Sequence, residues 1–223
     1  MPKKVRRIKV EGPAQLSAHF PLIQSTLKSG GLIAFPTDTF YGLGADPFQE
    51  KAIQKVFQLK KRSAGKPLIV LASNREQIAK LAEDISENAE ILMKRFWPGP
   101  LTLALKAKDT LSTLLTAGGK TLGVRIPGNS LTCALLEGVG PLTAPSANPS
   151  DEKAPASADE VANYFGEELD LIIDGGETPG DKSSTLLDMT THSPVLLREG
   201  AVSIADLELV LGVPLHKTLD IKQ

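Results

Sequence analysis

Phe35-Pro36-Thr37-Asp38-Thr39-Phe40-Tyr41-Gly42-Leu43-Gly44 is the stretch from which the rest of this chain is read. Residues 31–35 are apolar and read as a buried strand, which Pro36 stops. Hydroxyls, a carboxylate, two aromatics and two glycines follow. A second stretch, Lys60-Lys61-Arg62-Ser63-Ala64-Gly65-Lys66-Pro67, sets four cations at the end of a helical run. A donor-rich loop beside a cation cluster suits a polyanion such as a nucleoside triphosphate, provided the two segments meet in space.

Around these segments strands and helices alternate. Strands are predicted over residues 5–10, 31–35, 68–72, 101–106, 121–126, 142–145, 171–174, 185–188 and 195–198. Helices are predicted over residues 14–28, 50–61, 74–83, 87–96, 130–137, 158–165 and 204–211. The helix over 50–61 rests on Ala52, Ile53, Val56, Phe57 and Lys60 recurring at helical intervals. The alternation predicts an α/β fold with a twisted mixed sheet and flanking helices. The run of strands towards the C-terminal end argues against a purely parallel sheet. Residues 149–157 are polar and proline-containing and read as a mobile loop or lid. Neither a repeat nor a low-complexity linker interrupts the chain, so one domain over 1–223 is expected.

The 223 residues are 41% hydrophobic and 23% charged, with a net charge of −1. That supports a sizeable core and gives no bulk electrostatic case for nucleic acid or membrane. Basic candidates for such contacts are local: Lys3, Lys4, Arg6, Arg7 and Lys9, then Lys55 and the cluster around Lys60. Cys133 is the single cysteine, so no intrachain disulfide forms, and a reducing cytoplasm is the expected compartment. No signal-peptide core and no membrane-length apolar run is present. His19, His192 and His216 fall at no ligand spacing, so no structural metal is expected.

Each candidate site segment has a plain structural reading beside the functional one. Thr37, Asp38 and Thr39 cap the next turn or meet a ligand. Lys60, Lys61, Arg62 and Lys66 face the helix dipole and solvent, or an anion. Strand alternation puts Thr121, Gly123 and Arg125 on one face, with Gly123 leaving room between its neighbours. A buried arginine there needs either a carboxylate or an anionic ligand. Ser146 and Asn148, at another strand end, form a turn or bond a ribose or phosphate. Ser183 and Ser184 precede one more strand, and Arg198 ends the next. No Walker loop, no Gly-x-Gly-x-x-Gly and no nucleophile elbow is present. What favours a shared site is repetition: strand end after strand end breaks into hydroxyls or cations.

Taken together these segments resemble the YrdC/Sua5 family of threonylcarbamoyl-AMP synthases. The matching motifs are Pro36 to Leu43, Lys60-Lys61-Arg62 with Lys66 before Pro67-Leu68, and Trp97-Pro98-Gly99-Pro100-Leu101-Thr102. Val124-Arg125-Ile126-Pro127, Ala144-Pro145-Ser146-Ala147-Asn148, Ser184-Thr185 and Leu197-Arg198-Glu199-Gly200 follow in the family's order. The resemblance implies a YrdC-like fold around a large concave cationic cavity, in the short single-domain form, with its core over residues 15–205 and no second C-terminal domain. It implies synthesis of threonylcarbamoyl-AMP and pyrophosphate from L-threonine, bicarbonate or CO2 and ATP, with Mg2+ accompanying the nucleotide, for t6A37 modification of tRNA. Carried over by position, Thr39, Arg125 and Ser184 would contact threonine. Lys60, Arg62 and Lys66 would hold the ATP phosphates, with Lys60 and Arg62 stabilising the leaving pyrophosphate. Thr121, Ser146, Asn148 and Arg198 would line the nucleotide side. Two positions depart from other members: Leu71 stands where some carry histidine, and Ala156, followed by Ser157, where others carry threonine.

Two other readings compete. A relative with the same fold would bind RNA through its basic segments without making the adenylate, with affinity falling steeply in salt. A carbamoyl-transfer module of hydrogenase maturation proteins would sit in a longer chain with zinc-finger cysteines. The partners expected on the synthase reading are ATP, L-threonine and bicarbonate, with tRNA contact and hand-off to a t6A transferase complex as further expectations and no membrane.

Overall fold

The computed structural model describes residues 5–191 and 193–217. Lys3, Lys4 and His192 therefore lie outside the described residues. Strands β1 (Arg6–Lys9), β2 (Ile33–Phe35) and β3 (Gly42–Gly44) belong to a four-stranded sheet completed by β9 (Leu171–Asp174), in the order β1-β9-β2-β3. A second sheet contains β4 (Ile69–Leu71), β6 (Leu101–Ala107), β7 (Thr121–Arg125), β8 (Leu142–Thr143), β10 (Thr185–Asp188), β11 (Val195–Arg198) and β12 (His216–Lys217). Its order is β12-β11-β10-β6-β7-β4-β8, and β5 (Ala82–Glu83) pairs with β6 off this path. Both sheets mix parallel and antiparallel pairs: β1 runs parallel to β9 while β3 runs antiparallel to β2. Likewise β4 is parallel to β7 and β6 antiparallel to it.

The helices are α1 (Pro13–Ser17), α2 (Phe20–Lys28), α3 (Glu50–Lys60), α4 (Arg75–Ala79), α5 (Glu87–Phe96), α6 (Ser130–Val139), α7 (Ala158–Phe165) and α8 (Ile204–Leu211). On α3 the helical repeat buries Ala52, Ile53 and Val56 and carries Lys60 into the same face. Asn74, Ser86, Asn129, Ser157 and Ser203 cap α4 to α8 through side-chain oxygens.

Several expectations are corrected. The helix expected over 14–28 is two helices, because the chain turns at Ala18 and His19 and restarts with Pro21 in the first turn of α2. The helix expected over 74–83 stops at Ala79, and residues 82–83 pair with Lys106 and Ala107 as β5. Gly42–Gly44, read as loop, is a strand. A Cβ at Gly44 would lie 2.8 Å from Phe35 Cε1, so only glycine lets the aromatic ring lie across the pair. Residues 149–157, read as a mobile loop or lid, are stitched down. Asn148 Nδ2 donates to the carbonyls of Pro149 (2.8 Å) and Glu152 (2.7 Å), and Tyr164 Oη to that of Lys153 (2.9 Å).

The two sheets meet along β3 and the segment after β8. Thr143 Oγ1 donates to the Leu43 carbonyl at 3.0 Å and accepts from the Ala45 amide at 2.9 Å. Gly42 bridges Ser146, and the Ala147 amide donates to the Tyr41 carbonyl at 2.8 Å. The Pro36–Gly44 stretch is thereby fixed against the 143–148 segment, and a cavity opens beside that junction.

Candidate active site

The cavity holds about 770 Å³, a size suited to a nucleotide-scale ligand. Thr39, Arg62, Lys66 and Arg125 line it, as do Thr121, Ser146, Ser184 and Arg198. Residues from positions 37 to 198 thus meet at one concavity, and its lining residues include no carboxylate. Two expected site residues are not brought to the wall. Lys60 is buried, and its Nζ donates to the carbonyls of Ser146 and Asn148, each at 2.5 Å. The Lys60 ammonium, expected at the phosphates, bonds backbone carbonyls here and does not line the cavity. Asn148 is also buried, and its Nδ2 is spent on its own loop.

Arg125 ends β7 on the face shared with Thr121 and Gly123, as strand alternation requires. Its side chain is 5% exposed. Nη2 lies 3.2 Å from Asp38 Oδ1, while Nε and Nη1 are buried without a hydrogen-bond partner among the described residues. Burial pushes the guanidinium below its ordinary pKa, Asp38 opposes this, and Arg198 adds to it. Asp38 is held in turn by the Gly128 amide, 3.0 Å from Oδ2. One edge of Arg125 thus meets a carboxylate, and Nε and Nη1 have no hydrogen-bond partner among the described residues.

Around Arg125 the hydroxyls are preset. Thr37 Oγ1 donates to the Phe40 carbonyl at 2.7 Å and sits 3.1 Å from Thr39 Oγ1. Ser184 Oγ lies 2.8 Å from Thr102 Oγ1. Arg198 grips the same serine, Nη2 donating to its carbonyl (2.9 Å) and Oγ (3.0 Å). Arg62 reaches the cavity because α3 ends at Lys61 in the left-handed conformation (φ 50°), turning the chain by one residue. The Arg62 guanidinium then donates to the carbonyls of Lys66 (3.1 Å) and Pro67 (2.8 Å), bracing the cationic loop. Burial lowers its pKa.

Sequence reasoning missed some of the wall. Tyr41 lines the cavity and donates through Oη to the Gly176 carbonyl at 2.6 Å. Burial raises its phenol pKa. Asp38 was placed in the motif, but its pairing with Arg125 is long-range and left no local signal. Leu71, a departure from the family pattern, is buried opposite Arg125 in the β4–β7 register, and it is not among the lining residues. Of the N-terminal basic residues, Arg7 is ion-paired with Asp174 (2.8 Å) and Asp159 (2.5 Å). Among the described residues no group of three His, Cys, Asp or Glu is placed to hold a metal ion, and no helix is long and apolar enough to cross a membrane.

Mixed sheets beside a cavity lined by Arg62, Lys66, Arg125 and Arg198 together with several hydroxyls define an α/β protein with a cationic pocket. The comparisons narrow this to one family. The Sua5/YciO/YrdC model, described as "Telomere recombination", matches residues 25–200, and the chain belongs to that family. The threonylcarbamoyl-AMP synthase of Pyrococcus abyssi is 44% identical over 83% of this chain and 55% of its own length. That of Bacillus subtilis is 39% identical over 96% of this chain and 63% of its own. The crystal structure of P. abyssi Sua5 complexed with L-threonine superposes with a TM-score of 0.87 at 38% identity, covering 96% of this chain and 63% of that one. The chain thus spans 55% to 63% of the length of these relatives.

Proposed function

We propose that this chain is an L-threonylcarbamoyladenylate synthase. The reaction joins L-threonine, bicarbonate and ATP and releases threonylcarbamoyl-AMP, pyrophosphate and water. The observation that carries the reading is Arg125: a buried guanidinium with two unpartnered nitrogens, in a cavity whose wall supplies three further cations. The named activity of the relatives and the L-threonine complex of one of them support the same reading.

In this scheme Arg125 takes the threonine carboxylate, with Thr39 and Ser184 beside it. The threonine amine combines with bicarbonate or CO2 to give a carbamate. A carbamate oxygen attacks the α-phosphorus, and the bond to the β-phosphate bridging oxygen breaks. Arg62 and Lys66 neutralise the departing pyrophosphate. Thr121, Ser146 and Arg198 hold the nucleotide. The chain contributes position and charge neutralisation, the main sources of rate in phosphoryl-type transfer. Mg2+ would arrive with the triphosphate, and Thr39, Ser146 and Ser184 are among the oxygen donors the cavity lining would offer it. It would supply charge neutralisation at the phosphates. The setting we assign is the cytoplasm, with the product passed to a t6A transferase and tRNA.

The test is pyrophosphate release by purified protein with ATP, Mg2+ and bicarbonate. Release that starts on addition of L-threonine, and is much weaker with L-serine, is the expected result. No release with any amino acid, together with tight salt-sensitive RNA binding, would replace the synthase by the RNA-binding reading.

A further inference from the structure

Lys60 is buried to 2% exposure, an unusual place for a lysine. It joins α3 to the wall of the cavity at both ends. Its Nζ donates to the carbonyls of Ser146 and Asn148, each at 2.5 Å. Its own carbonyl accepts the Ser150 amide at 2.7 Å. Ser146 lines the cavity, while Lys60 does not. The carbonyl oxygens of Ser146 and Asn148 belong to a tight turn in which the Asn148 amide also donates to the Ser146 carbonyl at 2.9 Å. The lysine ammonium is the donor that joins the two carbonyls, one of which the Asn148 amide also reaches.

We infer that Lys60 is a positioning residue, which sets the Ser146–Ser150 turn as the nucleoside-side wall of the cavity and makes no contact with phosphate. The inference rests on the synthase reading for the word nucleoside, but the turn and its lysine stand without it. Three consequences follow from the geometry. The Ala147, Asn148 and Ser150 amides, bonded to Tyr41, Ser146 and Lys60, should be protected from exchange in the intact protein. Losing the ammonium should free the turn while leaving Arg62 and Lys66 in place. The effect on binding should fall on the nucleoside portion of a ligand as much as on its phosphates.

The experiment compares wild type with Lys60→Met, which keeps the stem and removes the donors, and with Lys60→Ala, which removes both and serves if the methionine variant fails to fold. Hydrogen exchange followed by mass spectrometry reads the 146–150 amides. Calorimetry with ATP and separately with adenosine reads the wall. Faster exchange confined to residues 146–150, with ATP and adenosine affinity falling by the same factor of about ten, is the expected outcome. Unchanged exchange overturns the inference, and so does loss of ATP affinity with adenosine binding intact, which would make Lys60 a phosphate ligand. If wild type binds neither ligand, the synthase reading fails, and the exchange measurement alone still decides the role of Lys60 in the turn.

Discussion

Arg125 and Asp38 meet with Nη2 3.2 Å from Oδ1, and this contact occupies one edge of a guanidinium whose Nε and Nη1 stay buried without partners. The residues are far apart in the chain, one closing β7 and the other leaving β2. A buried charge of this kind persists when some groups compensate it and a ligand completes the set. Arg125→Lys keeps the charge and loses the planar fork. L-Threonine affinity by calorimetry should fall by a factor of about ten or more while the fold is retained. Affinity equal to wild type would remove Arg125 from the substrate site.

Asp38→Asn should act on stability first. It leaves Arg125 buried without its only carboxylate partner among the described residues. A cost of about 3 kcal/mol is expected, read as a lower urea midpoint at unchanged slope. An unchanged midpoint would show that the pair carries no weight.

Gly200 marks where two backbones approach. A Cβ there would lie 2.5 Å from Ser184 C and 2.6 Å from Thr185 N. Gly200→Ala must therefore push the chain away from the serine that Arg198 grips. The expected result is a loss of about 2 kcal/mol together with weaker threonine and ATP binding. A variant as stable and active as wild type would mean that the backbone yields freely.

The pH dependence of Lys60 has a definite sign. Burial, with Arg62 adding to it, lowers its pKa to about 8 from an ordinary 10.5. Between these values the unfolded chain binds more protons than the folded one, so the Lys60 contribution to stability rises with pH. The penalty is complete below pH 8 and gone above the unfolded value. Stability of wild type relative to Lys60→Met should increase by about 1 kcal/mol from pH 8 to pH 9. A flat difference across that window would mean that the two carbonyls hold the charged form as well as water does.

Lys61 occupies a left-handed position with no glycine to relieve it. The residue is exposed. Lys61→Gly should stabilise the protein by about 0.5 kcal/mol without altering turnover, because it removes Cβ strain at a helix end. Melting curves and the pyrophosphate assay check the two halves separately.

Much of this was legible in the chain. The apolar runs that became β2, β4, β6 and β7 are short and bounded by prolines, glycines or polar turns, so local pattern located them. The face of Arg125 followed from alternation with Leu122 and Val124. The break between α1 and α2 was not legible, because residues 14–28 keep a helical pattern across it and only Pro21 hints at a restart. The strand Gly42–Gly44 was hidden because glycine has no strand preference of its own. Its pairing depends on Phe35 needing space from across the sheet.

Residue types, their order and their periodicity determined the α/β class, the location of strand ends rich in hydroxyls and cations, and the resemblance to a synthase family. Tertiary structure decided which of those charges share a cavity. Lys60 and Arg62 stand two residues apart at one helix end, yet a left-handed turn at Lys61 sends the second into the cavity while the first is buried under Ser146 and Asn148. Local pattern cannot distinguish them, because the acceptors that claim the Lys60 ammonium arrive from a segment more than eighty residues away along the chain.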